Sequence, residues 1–122
     1  MSESLFDRIG GEGAVNATVA KLYKKILNDE LLAPYFDNID IGRLRLSQSA
    51  FVTMAFEGPN NYTGETMRRA HARFAEDGLS DKHFDAVATH LKTAMEELSV
   101  PDELIAEALA IVETTRDDIL NR

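Results

Sequence analysis

Two polar side chains occupy positions where predicted helices should present hydrocarbon to a core. In the segment 66–74, His71 shares one helix face with Met67 and Phe74, because residues three and four apart lie on the same side. Gln48 interrupts the apolar stripe of another predicted helix. The other members of that stripe are Ile41, Leu44, Phe51 and Ala55. A polar or metallic group between the two helices would account for both side chains, and the alternative is that each is satisfied by the backbone or by the other.

An imidazole is a common metal ligand, but the chain offers few partners for it. Cysteine is absent, so any metal must be held by nitrogen or oxygen. His83 and His90 are seven residues apart on one predicted helix, roughly 10 Å along its axis, which is too far to chelate one ion. We interpret His83 as an exposed residue at a helix start and His90 as a boundary residue with its tip in water. A single histidine rarely holds a free ion, whereas a porphyrin supplies four nitrogens and needs one axial imidazole.

The composition excludes several classes of partner. The chain has 122 residues, which predicts a single domain spanning 1–122. A net charge of -8 and a pI near 4.8 disfavour nucleic acid and anionic membrane surfaces as partners. No apolar run approaches the roughly 20 residues of a membrane helix, and Met1-Ser2-Glu3-Ser4 lacks the features of an export signal. We therefore expect a cytoplasmic protein.

The chain is predicted to be all helix, because no segment alternates apolar and polar residues convincingly. The turn Gly10-Gly11 precedes a helix that runs to about Asn28, and a short helical turn spans 31–36. The Gln48 helix spans 41–56 and ends at the turn residues 58–61, and the brief His71 helix follows. Ser80 is predicted to cap the next helix, with the core stripe Phe84, Val87, Leu91, Met95 and Leu98. The last helix starts within 99–103, where Ser99 offers a hydroxyl cap, and its inward face extends to Thr115.

Basic residues cluster beside the two unusual helices, in spite of the acidic balance of the whole chain. One pair is Arg43 and Arg45, and the other group is Arg68, Arg69 and Arg73. Such clusters are commonly solvated surface, and the alternative is that they hold a small anionic group between them.

The order and spacing of several landmarks resemble those of the group 1 truncated haemoglobins, small globins with helices packed two over two around haem. The resemblance covers the chain from about Ser4 to Arg122. The landmarks in the first half are Leu5-Phe6, Ile9-Gly10-Gly11, Leu22-Tyr23, Pro34-Tyr35-Phe36 and Gln48-x-x-Phe51. Those in the second half are Gly58-Pro59, Tyr62-Thr63-Gly64, Met67-x-x-Ala70-His71 and His83-Phe84-x-x-Val87-x-x-His90-Leu91.

This resemblance implies a role for each site residue. His71 matches the proximal ligand of the haem iron, while Tyr23 and Gln48 match the distal residues that donate hydrogen bonds to the iron-bound gas. The remaining positions that match haem contacts are Phe36, Leu44, Phe51, Met67, Phe84 and Val87. Arg43, Arg45 and Arg68 are the candidates for pairing with the haem propionates, and Arg68 is included among the expected cofactor-binding residues.

Departures from the family pattern sharpen these implications. Some relatives have a histidine where this chain has Ser47, so we expect no internal sixth ligand and a five-coordinate ferrous iron. Some relatives bond haem covalently through a histidine in the last helix, where this chain has Thr115, so we expect non-covalent haem b. The usual pattern before the turn at 58 has two glycines, and this chain has Glu57-Gly58.

The leading hypothesis is a haem protein, expected to be a monomer, that binds dioxygen reversibly and also carbon monoxide and nitric oxide. The resemblance further implies conversion of nitric oxide to nitrate with bound dioxygen, which would need an external reductase. The alternatives are a cofactor-free helical interaction module and a haem-based gas sensor that signals through a partner.

Overall fold

The computed structural model describes residues 5–36, 41–56, 68–69, 71–72 and 78–121, with the backbone alone at positions 41 and 47. Within these ranges the secondary structure is helical without strands, which confirms the all-α prediction. The helices are α1 (Leu5–Ile9), α2 (Gly11–Leu27), α3 (Ile41–Ala55), α4 (Asp81–Glu97), α5 (Asp102–Glu113) and α6 (Arg116–Leu120), with a 3-10 helix over Ala33–Phe36. Residues 68, 69, 71 and 72 are also helical. None of the helices in the described ranges is long and apolar enough to cross a membrane.

The turn between α1 and α2 depends on glycine. Gly10 has a φ of +130° and Gly11 a φ of +68°, values that residues with a Cβ rarely adopt. A Cβ at Gly10 would also lie only 3.2 Å from the Cβ of Ala14. The predicted turn at Gly10-Gly11 is therefore confirmed, and it folds the short α1 back against α2.

The core forms where the apolar faces of the longer helices meet. Helix α2 packs against α3 and α4, and α4 packs against α5. Residues on these faces recur every three or four positions, so each helix turns one continuous stripe inward. The most completely buried members are Leu22, Val52, Ala55, Phe56, Leu91, Ala94, Met95 and Ala108.

The start of α4 was predicted correctly, and its end explains an error about the next helix. Ser80 is the N-cap residue of α4. Ser99 has a left-handed φ of +61° and donates its backbone N–H to the carbonyl of Glu96 at 3.0 Å. Val100 donates to the carbonyl of Met95 at 3.1 Å, which completes a Schellman motif. Ser99 thus closes α4 instead of capping α5, whose N-cap residue is Pro101.

Helix α6 is a short helix that the sequence pattern did not predict. Helix α5 ends at Glu113, and the hydroxyl of the buried Thr115 donates to the carbonyl of Val112 at 2.6 Å. Helix α6 follows directly and buries Ile119 and Leu120 against the core. Five residues show little periodicity, which is why this helix was missed.

Candidate functional site

A cavity of about 540 Å³ lies between α2, α3, α4 and the His71 segment. Its walls are mostly apolar, and the polar residues among them are Tyr35, Arg43, Gln48, His71 and His83. The aliphatic and aromatic residues on the walls are Leu22, Ile26, Leu32, Phe36, Leu44, Phe51, Leu79, Phe84, Val87, Ala88, Val112 and Ile119. A volume in this range, with few polar groups on an apolar lining, is typical of a small-molecule or cofactor site.

Gln48 is the uncharged polar residue of α3 on the wall of this cavity. Leu44 precedes it by one turn and Phe51 follows it by three residues, so the helix period places all three on one wall. Gln48 is only 8% exposed, and within the described residues neither its amide oxygen nor its amide nitrogen has a hydrogen-bond partner. A buried amide without partners costs about 1–3 kcal/mol. The side chain is therefore placed to bond with something that enters the cavity.

His71 lies on the wall of the same cavity and is partly buried. The structure thus brings His71 and Gln48 to one cavity although 23 positions separate them in the chain. Met67 and Phe74, the predicted companions of His71, lie outside the described residues. The other described residues that the resemblance singled out as haem contacts line the same cavity. They are Phe36, Leu44, Phe51, Phe84 and Val87.

Tyr23 and Arg68 are placed differently from these residues. Neither belongs to the described part of the cavity wall. The guanidinium of Arg45 lies 5.2 Å from the centre of the Tyr23 ring, a cation–π arrangement near the surface. Arg68 donates from Nε to Oδ1 of Asp118 at 2.8 Å. Of the three arginines considered as partners for an anionic group, Arg43 is the one that lines the cavity.

His83 is buried, so its interpretation as an exposed residue is wrong. It is 5% exposed, and it lies on the cavity wall with its ring edge-on to Tyr35, the two ring centres being 5.1 Å apart. The backbone N–H of Ser80 donates to its Nδ1 at 3.1 Å. Burial, and then repulsion by the Lys82 ammonium, lower the pKa of His83 below its usual value.

His90 lies at the boundary of the core as predicted, but its tip does not simply face water. Its Nε2 forms a hydrogen bond with Oδ2 of Asp29 at 2.7 Å. Asp29 also accepts from the backbone N–H of Leu31 at 2.8 Å. The hydrogen bond from His90, and then the one from Leu31, lower the pKa of the Asp29 carboxyl. This pair joins α4 to the turn after α2 and is not part of the described cavity wall.

A family model for bacterial-like globins matches residues 4–121 of the chain. The chain is 38% identical to the group 1 truncated hemoglobin GlbN of Synechocystis sp., and the match covers 98% of both chains. It is also 38% identical to the group 1 truncated hemoglobin of Tetrahymena pyriformis, over 98% of this chain and 97% of that relative. The chain belongs to the group 1 truncated haemoglobins.

Solved structures of this family show the same fold. The 2/2 hemoglobin from a Synechococcus species, in the cyanomet state with covalently attached heme, has a TM-score of 0.89 and is 41% identical. That match covers 98% of this chain and 100% of the other. The ferric truncated hemoglobin of Tetrahymena pyriformis has a TM-score of 0.86 at 38% identity, over 97% of this chain and 98% of that chain. These matches confirm the predicted two-over-two fold and support a haem-binding globin.

The cavity of this truncated haemoglobin has the properties that a haem group requires. An apolar macrocycle needs apolar walls, one axial nitrogen, and a polar group on the side where a gas binds. The aromatic lining provides the first, His71 places an imidazole on the wall, and Gln48 places there an amide that has no hydrogen-bond partner among the described residues. Within the described residues, no three histidine or carboxylate side chains cluster as ligands for a free metal ion.

The cavity-lining Phe84 is supported from outside the site. The guanidinium of Arg116 lies 4.3 Å from the centre of its ring. Arg116 is itself fixed by carboxylates of Asp81 at 2.9 Å, Asp85 at 2.7 Å and Glu113 at 2.6 Å. These contacts join the start of α4 to the turn between α5 and α6, so Phe84 is held at a defined position.

Sequence reasoning missed His83 as a cavity residue, although one signal pointed to it. His83 stands three residues after the N-cap Ser80, the position whose side chain turns back toward the cap in a capping box. A side chain in that position lies along the helix start and does not extend into water. The resemblance also included His83-Phe84 as a landmark without assigning a role to the histidine.

Proposed function

We propose that this truncated haemoglobin binds haem b non-covalently, with His71 as the axial ligand, and binds dioxygen reversibly on the opposite side of the ring. The observation that carries the proposal is that one apolar cavity is lined both by His71 and by the Gln48 amide, which has no partner among the described residues. Haem supplies an iron that binds a diatomic gas and needs one protein ligand when that gas occupies the sixth position. An amide N–H beside that position would donate to the gas and slow its release.

We assign the distal hydrogen bond chiefly to Gln48. Tyr23 is the second donor that the family resemblance implies, but its ring lies beside Arg45. Tyr23 is also absent from the described cavity wall. The proposal therefore gives the larger effect on gas release to Gln48 and the smaller effect to Tyr23.

Two further residues are assigned by their placement. Arg43 lines the cavity, so we propose it as the partner of a haem carboxylate, ahead of Arg45 and Arg68. The buried hydroxyl of Thr115 already donates to the carbonyl of Val112 and offers no imidazole for bonding to a vinyl group. We infer non-covalent attachment from Thr115, because it replaces the histidine that bonds to haem in some relatives. We infer a five-coordinate ferrous iron from Ser47, because it replaces a histidine that could be the sixth ligand.

Conversion of nitric oxide to nitrate is a second prediction for the same cavity. Nitric oxide and dioxygen together need one added electron to form nitrate, so each turnover requires an external reductase. Stopped-flow mixing of the dioxygen-loaded protein with nitric oxide, followed by reduction under cellular conditions, tests this activity. Slow reduction would leave dioxygen binding as the function.

Haem titration of the purified chain tests the central proposal. We expect one haem per chain, a Soret band, and a ferrous spectrum without a sixth protein ligand. Extraction with acidified butanone should remove the haem. Failure to take up haem would favour the cofactor-free module, and haem that resists extraction would contradict non-covalent attachment. Ultracentrifugation tests the expected monomer, and cell fractionation tests the expected cytoplasmic location.

A further inference from the structure

His83 is a further polar side chain on the cavity wall, and the proposed gas binding gives it no role. His83 is only 5% exposed, and its ring is fixed on two sides. The Tyr35 ring stands at 77° to it, and Ser80 holds its Nδ1. A buried side chain held so firmly beside a cofactor cavity presents one defined polar atom to that cavity.

The contact with Ser80 determines which ring nitrogen carries the proton. The backbone N–H of Ser80 can only donate, so Nδ1 of His83 must accept, with the Ser80 hydroxyl also 3.1 Å from the same nitrogen. A neutral imidazole that accepts at Nδ1 carries its hydrogen at Nε2. Burial keeps the ring neutral, because it disfavours the charged form. His83 is therefore an Nε2–H donor.

This Nε2–H has no hydrogen-bond acceptor among the described residues, where both hydrogen-bond contacts of His83 are made by Nδ1 with Ser80. Buried donors are normally satisfied, so an acceptor should come from what occupies the cavity. The rim of a haem carries methyl and vinyl groups, which do not accept, and two carboxylates, which do. A hydrogen bond from a neutral donor to a charged carboxylate is also stronger than one to a neutral acceptor.

We propose that His83 contacts bound haem as a hydrogen-bond donor to a haem carboxylate, held by Ser80 in the tautomer that cannot ligate iron. This inference rests on the proposed haem binding. Ligation through Nε2 would require that nitrogen to give up its hydrogen and Nδ1 to gain one, which would set two N–H groups against each other at Ser80. Two histidines thus share one cavity, and the helix cap leaves only His71 able to bind the metal.

The tautomer can be measured in the unaltered protein. Two-bond nitrogen–proton correlation spectra of the full chain, labelled with nitrogen-15 at histidine, distinguish a protonated from an unprotonated ring nitrogen. We expect His83 to be protonated at Nε2 alone, both without haem and with haem bound, and its Nε2 proton to exchange more slowly once haem is bound. A hydrogen at Nδ1, or a signal broadened by direct bonding to iron, would overturn the proposal.

A substitution combined with an altered cofactor tests the carboxylate contact. Glutamate at this helix position can accept from the Ser80 N–H as in a capping box and has no N–H in its side chain, so His83→Glu should keep the cap while removing the donor. Haem release to an excess of apomyoglobin should become roughly tenfold faster or more. With haem dimethyl ester, whose carboxylates are blocked, the ratio between variant and wild type should fall toward one.

The matched control is His90→Gln, because His90 lies on the same helix but away from the described cavity wall. Its haem release should equal that of the wild type. Equal release from His83→Glu and the wild type with unmodified haem would overturn this proposal and leave haem binding intact. An equal acceleration with haem and with its ester would also overturn it, since packing alone would then explain the effect. Failure of the wild type to bind haem at all would overturn both proposals.

Discussion

The two halves of α4 differ in how completely their side chains are satisfied. In the second half, Leu91, Ala94 and Met95 are fully buried, packed in the closed core. In the first half, His83, Phe84 and Val87 line the cavity. The same helix therefore serves as core at one end and as part of a binding wall at the other. The core end stabilises the chain by itself, whereas the cavity end is complete only with an occupant.

The contrast extends to α3, which faces the first half of α4 across the cavity. A close-packed interior avoids unpartnered polar atoms, because each costs free energy that packing does not return. Gln48 violates this rule at the cavity, because within the described residues neither its amide oxygen nor its amide nitrogen is exposed to solvent or has a partner. The Gln48 amide destabilises the chain without a ligand and stabilises the complex once it bonds to a ligand. This difference distinguishes a binding site from a closed core.

The largest effect is expected from His71→Ala, which removes the proposed ligand from the cavity end. Stable haem retention should be lost, and with it the stabilisation that bound haem provides. At free haem a thousandfold above the dissociation constant, that stabilisation is about 4 kcal/mol. Thermal unfolding with and without haem measures it, and His90→Gln should keep the full difference. Retention of a normal five-coordinate spectrum by the alanine variant would contradict the assignment.

Met95→Ala makes the opposite test at the core end of α4. Truncating this fully buried side chain leaves a cavity and should lower the free energy of unfolding by about 2–5 kcal/mol. The loss should be the same with and without haem, since Met95 is not on the described cavity wall. Denaturant unfolding followed by circular dichroism measures both states. A loss seen only with haem bound would remove the distinction between the two ends.

Gln48→Leu should change stability and gas binding in opposite directions. Replacing an unpartnered buried amide with a hydrocarbon of similar size should stabilise the apoprotein by about 1–3 kcal/mol. The same change should speed dioxygen dissociation about tenfold, because a hydrogen bond to the gas is lost. Carbon monoxide dissociation should change less, and Tyr23→Phe should have the weaker effect on dioxygen. Destabilisation of the apoprotein by Gln48→Leu would show that the amide is satisfied without a ligand.

The smallest effect is expected in the pH dependence of apoprotein stability, which His83 modifies. Its lowered pKa means that the unfolded chain binds more protons between the folded and the usual value, near 6.5. The free energy of unfolding therefore rises with pH in that window. The part of it that comes from keeping His83 neutral is lost as the pH falls below the usual value. On going from about pH 7 to about pH 5, His83→Gln should lose less stability than the wild type.

Asp29 acts in a separate and more acidic window. Its pKa is lowered below 3.8 by the hydrogen bond from His90 and then by that from Leu31. The resulting stabilisation is present above 3.8 and is lost as the pH falls through the folded pKa. The His83 effect is therefore measured above the pH range of Asp29. If the wild type and His83→Gln lost equal stability at mildly acidic pH, His83 would not be buried in solution.

The sequence was sufficient to identify the polar residues that interrupt an apolar helical stripe. His71 and Gln48 could be singled out because each replaces a hydrocarbon on an otherwise apolar stripe. The aromatic lining followed from the family resemblance, since aromatic residues at helical spacing are ordinary in any core. These inferences depend on neighbours within one or two helical turns, which is the range over which periodicity carries information.

The environments of the other two histidines depended on residues far away in the chain. His83 is enclosed by Tyr35, 48 positions earlier, and His90 is bonded to Asp29, 61 positions earlier. Ser99 was misjudged for a local reason, because a hydroxyl residue between two helices can either close the first or cap the second. Only the backbone angle distinguishes these two roles.

The most direct test of the account is the iron–histidine stretching band in the resonance Raman spectrum of the ferrous, haem-loaded protein. The band should be present in the wild type and in His83→Gln, absent in His71→Gly, and restored to that glycine variant by added imidazole. A band that persists in His71→Gly without imidazole, or that disappears in His83→Gln, would contradict the placement of iron at His71.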